Sequence, residues 1–149
     1  MLKLWSRWLM VLGDGMIVLG LLAVLFPMAA VFEPLNGPTW AALFGGAALP
    51  AEAVSYHRLM FGLVGTATMG WGVMVFFVAW QPFARGESWA WWALCCSTGL
   101  WFVVDTGHVL LAGAWAYALL NATLMAAAAI PLIASRRHFF PGSGRLATA

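Results

Sequence analysis

Four long apolar stretches separated by short polar breaks set the organisation of the chain. The first, from about Trp8 to Val31, places Gly13, Ile17, Gly20 and Val24 at alternating steps of four and three. On a helix these form one stripe of small and branched residues suited to close packing in a membrane. The second, from about Ala53 to Trp80, is roughly 42 Å long as a helix, and Arg58, Gly62, Gly65, Met69, Gly72 and Phe76 share its stripe. In the third, Ser88 to Ala112, Trp91, Leu94, Thr98, Trp101, Asp105, His108 and Ala112 fall on one face. The fourth, Trp115 to Ala134, aligns Tyr117, Asn121, Leu124, Ala128 and Pro131. Helical periodicity in all four predicts an all-α fold, a transmembrane four-helix antiparallel bundle forming one domain over residues 1–134.

The connections differ in kind. Residues 33–52 hold Glu33, Pro34, Gly37, Pro38 and Pro50 around an apolar patch of Trp40, Leu43, Phe44 and Leu49. That patch is too short to cross a bilayer and too apolar to sit in water, which predicts an interfacial or re-entrant segment. Gln81 to Ser88 reads as a plain turn, and only a residue or two near Gly113 separates the third span from the fourth. Residues 135–149, with Arg136, Arg137, His138, Pro141, Gly142 and Gly144, are expected to form a mostly disordered cytoplasmic tail. Pro27 is expected to kink or loosen the last turn of the first span.

Composition agrees with the pattern. Of 149 residues, 64% are hydrophobic and 8% charged, with a mean hydropathy of +0.91, against roughly a quarter charged in soluble proteins. Seven scattered Lys and Arg give a net charge of +2, so no nucleic-acid surface is expected. Lys3 and Arg7 before the first apolar run resemble a signal peptide. The run is longer than a signal's apolar region and no A-x-A site follows, so it reads as a retained span. Cys95 and Cys96 point about 100° apart on a helix and suit neither a disulfide nor a metal pair.

With four spans the two termini share a side, and that side holds Lys3, Arg7, Arg85, Arg136, Arg137 and Arg145, leaving Arg58 at the other. The positive-inside rule then places both termini in the cytoplasm, and the expected location is a bacterial inner membrane. Counted from the outer ends, Arg58 and His108 lie about 8 Å deep, Asn121 about 9 Å and Asp105 about 12 Å. These residues, with Tyr117, are the candidate polar cluster. A carboxylate inside a membrane must find a partner, so the first reading is an Arg58–Asp105 ion pair with His108, Asn121 and Tyr117 completing its hydrogen bonds. The second is a polar pocket walled by Trp71 and Trp101 that takes a small lipid-like or quinone-like ligand, with Asp105 or His108 as a proton carrier if chemistry occurs. Asp14 lies near the starting end of the first span, where water or a neighbouring polar group would meet it. His57 is rotated about 100° from the Arg58 stripe, and no residue set completes a tetrahedral site. No metal, haem or other cofactor is therefore expected.

Gly70, Trp71 and Gly72, then Arg85, Gly86 and Glu87 leading into Trp89, Ala90, Trp91, Trp92, Ala93 and Leu94, with Trp101 four residues before Asp105, resemble a group of small bacterial four-span membrane proteins. The likeness covers the second and third spans and implies an inner-membrane location and a four-helix bundle. A looser similarity to the sterol-isomerase-like and DoxX-like four-helix membrane folds carries no residue roles. The leading functional expectation is a non-catalytic structural or accessory component that packs with itself or another membrane protein through glycine-rich faces. Membrane lipid is the expected surroundings, and a small apolar ligand is the alternative partner.

Overall fold

Apolar sequence in a bilayer has to satisfy its own backbone, and among the described residues this chain does so as helix, without a strand. The computed structural model describes residues 1–45, 47 and 49–140. Helix α1 spans Leu2–Leu25, α2 Glu33–Phe44, α3 Ala51–Val78, α4 Ser88–Leu111 and α5 Trp115–Phe139. The fold is an all-α bundle in which α1 packs along α3 and α5, and α5 packs along α4. Four of the helices, α1, α3 with its extension to Phe83, α4 and α5, are long and apolar enough to cross a membrane. Large apolar side chains such as Val11 (69% exposed), Val103 (69%) and Ile133 (73%) have no protein cover. Such a surface fits an integral, multi-pass membrane protein.

Glycine sets the closest contact. A Cβ added at Gly20 would lie 2.5 Å from the Gly65 carbonyl oxygen, and one at Gly13 would lie 2.8 Å from that of Gly72. Backbone therefore meets backbone at two points seven residues apart, so the predicted stripes on the first and second spans pack against each other, antiparallel. Helix α1 ends earlier than the expected span. Proline disfavours helical geometry in the residue before it, and Phe26, ahead of Pro27, sits at φ −136° and ψ 58°. By the register of the glycine pairs, Leu25 lies level with Met60, so the first turns of α3 extend past the end of α1.

A single 3₁₀ turn, Ala30–Phe32, then feeds α2, which has proline in its first turn and ends at Gly45 in the left-handed conformation (φ 62°). Its 12 residues are about 18 Å of helix, too short to cross, as the apolar patch predicted. Residues 46 and 48 of the predicted interfacial segment lie outside the described residues. At the other end of α3, Pro82 has no N–H, which would strand the Val78 carbonyl in an α-helical ladder. Residues Ala79–Phe83 are π-helical instead, and the wider i→i+5 spacing steps past the proline. Ser6 of α1 donates to the Ala79 carbonyl at 2.7 Å, tying the π segment to its neighbour.

Helix α5 runs on to Phe139, five residues past the predicted end of the fourth span. Phe139 is buried and its ring lies 4.8 Å from that of Phe83. The assigned tail therefore begins as helix packed in the core, and residues 141–149 lie outside the described residues. The core itself, Leu9, Val75, Ala79, Phe83, Ala90, Leu94, Leu132 and Phe139, gathers at the end of the bundle that holds the first turns of α1 and the last of α5. Pro131 inside α5 frees the Ala127 carbonyl four residues earlier, and Trp8 fills the gap, its indole N–H donating to that oxygen at 2.9 Å. Between α3 and α4 contact is sparse. Trp71 and Trp101 meet edge to face there at 5.2 Å, beside an apolar cavity of about 30 Å³.

Candidate functional site

The five residues assigned to one polar cluster do not form one. Asn121, buried on α5, donates through Nδ2 to Asp105 Oδ2 at 2.7 Å and to Thr106 Oγ1 at 3.3 Å on α4. Tyr117, one turn earlier on α5, sends its hydroxyl to Asn36 Oδ1 on α2 at 2.9 Å. The first bond ties α5 to α4 and the second ties α5 to α2. His108 is exposed one turn beyond Asp105, and Arg58 is exposed on α3. Among the described residues no ion pair joins Arg58 to Asp105.

The position of Arg58 follows from the length of α1. The stripe through Gly65 and Gly72 faces inward only where α1 covers it, and α1 stops level with Met60. Beyond that point the Trp40 ring of α2 and the Phe32 ring reach a different face of α3, where they meet His57 and Phe61, while Arg58 is exposed. The His57 ring stacks on Phe61 (centroids 4.8 Å, planes 28° apart) and meets Trp40 of α2 edge-on at 5.2 Å. Phe61 in turn meets Phe32 at 4.9 Å. The Pro27 carbonyl lies beside the imidazole as an acceptor, while Nε2 is buried with no hydrogen-bond partner.

These groups border a cavity of about 300 Å³ between α2, the first turns of α3 and the start of α5. Trp40, Phe44, Tyr56, His57, Met60 and Tyr117 are among the side chains that form its wall. The walls assigned from sequence, Trp71 and Trp101, line the small apolar cavity nearer the middle of the bundle instead. Asn36, Thr39, Trp40 and His57 were not among the candidates. The sequence assigns residues 33–52 to an interfacial or re-entrant connection and gives Asn36 no role of its own. The usable signal was the carboxamide itself, since Asn36 directly precedes an apolar patch in a chain poor in polar side chains, and the i, i+4 spacing of His57 and Phe61.

What this arrangement does chemically is limited. Ser6, Trp8 and Trp91 donate to backbone carbonyls on neighbouring helices, Trp91 to Leu132 at 2.8 Å. Asp105 is held by an amide and not by a cation. Among the described residues no three His, Cys, Asp or Glu side chains lie close enough together to hold a metal ion. Compared with known proteins, the chain matches no family model, no curated protein and no solved structure.

Proposed function

We infer that the chain is a non-catalytic accessory component of a bacterial inner membrane, with both termini in the cytoplasm, that lies against a transmembrane helix of another protein. Asp14 carries this reading. It is exposed on the face of α1 turned away from α3, between the exposed Val11 and Val18, and about 9 Å along the helix from Trp8. Among the described residues no group pairs with its carboxylate. An ionisable side chain within hydrocarbon is costly by about 3 kcal/mol even on lenient scales, and such groups face protein or water. Gly15 beside it has open space at its Cβ position, so another backbone has room to approach.

Charge selects the partner. A twofold copy of the same face would set Asp14 against Asp14, two like charges. The complementary partner is a helix of different sequence carrying Lys, Arg, His or another donor at the same depth. The glycine stripes named from sequence do not serve this role, because Gly13, Gly20, Gly65 and Gly72 are used between α1 and α3. Support for the orientation comes from the basic residues on the terminal side, and the resemblance of the second and third spans to small bacterial membrane proteins supports the location.

The test is photocross-linking in native membranes, with a photoreactive residue at Val11 or Val18 and a control at Ile133. The expected result is an adduct with a different protein at 11 and 18, lost several-fold on Asp14→Leu in a variant whose thermal unfolding is unchanged. Adducts with lipid alone, an adduct of twice the chain's mass, or a yield indifferent to Asp14→Leu each overturn it.

A further inference from the structure

We propose that α2 is a strap closed over the first turns of α3 and the start of α5, held shut by the neutral form of His57 and released when that imidazole takes up a proton. The observations are separate from the Asp14 face of α1, and either reading stands without the other. Ring contacts and a hydrogen bond hold the strap. Trp40 of α2 meets the His57 ring edge-on at 5.2 Å, Phe32 just ahead of α2 meets Phe61 at 4.9 Å, and Tyr117 of α5 donates to Asn36 Oδ1 at 2.9 Å. No side chain of α2 belongs to the hydrophobic core, and the cavity of about 300 Å³ lies beneath it. An element held this way opens more readily than one packed on a filled core.

His57 is where one proton changes that balance. Its Nε2 is buried and has no hydrogen-bond partner, on a ring held by Trp40 and Phe61. The Pro27 carbonyl is an acceptor beside the ring. A neutral imidazole has one N–H to give it, whereas an imidazolium has two. The second N–H would be buried without an acceptor, on a ring that is now charged. Water in the cavity cannot pair with it, because Nε2 is closed off from water in this arrangement. The Phe61 ring attracts a cation, but it lies nearly parallel to the imidazole, its plane 28° away, so neither N–H points at its face. Proton uptake therefore requires the ring to leave its place, and the Trp40 contact goes with it.

No other charge competes with this one. The remaining titratable groups in the cavity wall are the phenols of Tyr56 and Tyr117, and phenols are uncharged between about pH 5 and 8. Glu33 on α2 and Glu52 and Arg58 on α3 are exposed, and among the described residues no carboxylate or cation acts on the imidazole. Once released, the ring is solvated and titrates near the ordinary histidine value of about 6.5. Closure is at full strength above that pH. Below it the released form binds one proton more than the closed form, and the equilibrium moves toward release by up to about tenfold per pH unit. A phenylalanine at this position would make the same ring contacts with no such dependence, which separates the switch from a purely structural histidine.

The experiment follows amide exchange of the full chain in phosphatidylcholine nanodiscs from about pH 8 to about pH 5, each rate corrected for the intrinsic effect of pH. Protection of residues 33–44 is expected to stay level down to about pH 6.5 and then to fall by up to about tenfold per unit, while protection around Leu9, Val75 and Leu132 holds. His57→Phe is expected to give a level profile throughout, with protection at neutral pH equal to or above that of the parent. His57→Gln, which also lacks the titrating group, is the second variant and is expected to be level as well. Tyr117→Phe, without the bond to Asn36, should lower protection of residues 33–44 at every pH and keep the slope, and His108→Gln should leave the parent profile unchanged. A level profile for α2 in the parent, or a slope that persists in the His57 variants, overturns the switch. A loss of protection spread evenly over α1 and α5 is acid unfolding of the whole bundle and overturns it too.

Discussion

Trp8 and Pro131 show how single residues on distant helices are matched in this bundle. Proline within α5 leaves the Ala127 carbonyl without its usual partner, and the Trp8 indole N–H supplies one at 2.9 Å. In hydrocarbon no water can take that place. Trp8→Phe should therefore cost about 1 kcal/mol of stability. In a Pro131→Ala background, where the helix can pair that carbonyl itself, the same substitution should cost measurably less; a thermal double-mutant cycle in detergent reads the coupling. Asp105 and Asn121 should behave as a pair in the same way. Asn121→Leu strands a half-buried carboxylate and should lose about 1–3 kcal/mol, with much of the loss absent when Asp105→Leu is already in place. Arg58→Gln, by contrast, should leave the unfolding midpoint within error of the parent, since the side chain is exposed. Sequence placed Asp105, Asn121 and Tyr117 on inward faces because their helices have covering neighbours along that length. It misplaced Arg58, because which face is inward there depends on where another helix ends.

At the scale of the element, α1 and α3 act as one antiparallel pair whose spacing is set by glycine. Gly65→Val puts branched carbon where Gly20 oxygen already lies, 2.6 Å from the added Cβ. Overpacking of this kind costs typically 1–3 kcal/mol, and here it also separates the two helices. Gly62→Ala, where a Cβ meets nothing within 4 Å, should be neutral or gain up to about 1 kcal/mol from helix propensity. Expression and monodispersity on size exclusion would separate the two substitutions, and a Gly65→Val protein as stable as the parent would falsify the backbone contact. Both glycine stripes were legible as periodicity, because small residues at steps of three and four have a direct packing meaning. The helical state of residues 33–44 was not. Proline and glycine there read as loop signals, yet Pro34 sits in a first turn where it is tolerated and Gly45 ends the helix.

Across the whole molecule, packing quality runs from one end to the other. The buried core collects where α1 begins and α5 ends, whereas the opposite end holds the 300 Å³ cavity and the short α2. Local opening follows packing density, so amide exchange in α2 and the first two turns of α3 should outpace that around Leu9, Val75 and Leu132 by at least an order of magnitude. Single-cysteine labelling in a Cys95→Ala, Cys96→Ala background should report position 85 from the same side as Lys3, and positions 47 and 113 from the other. The number of spans was readable from length and hydropathy alone, but the gradient was not, because it arises from helices of unequal reach. Because Trp8 precedes Ala127 by 119 residues, the indole of α1 is synthesised well before the carbonyl that accepts from it, and the two can pair only once α5 has been made.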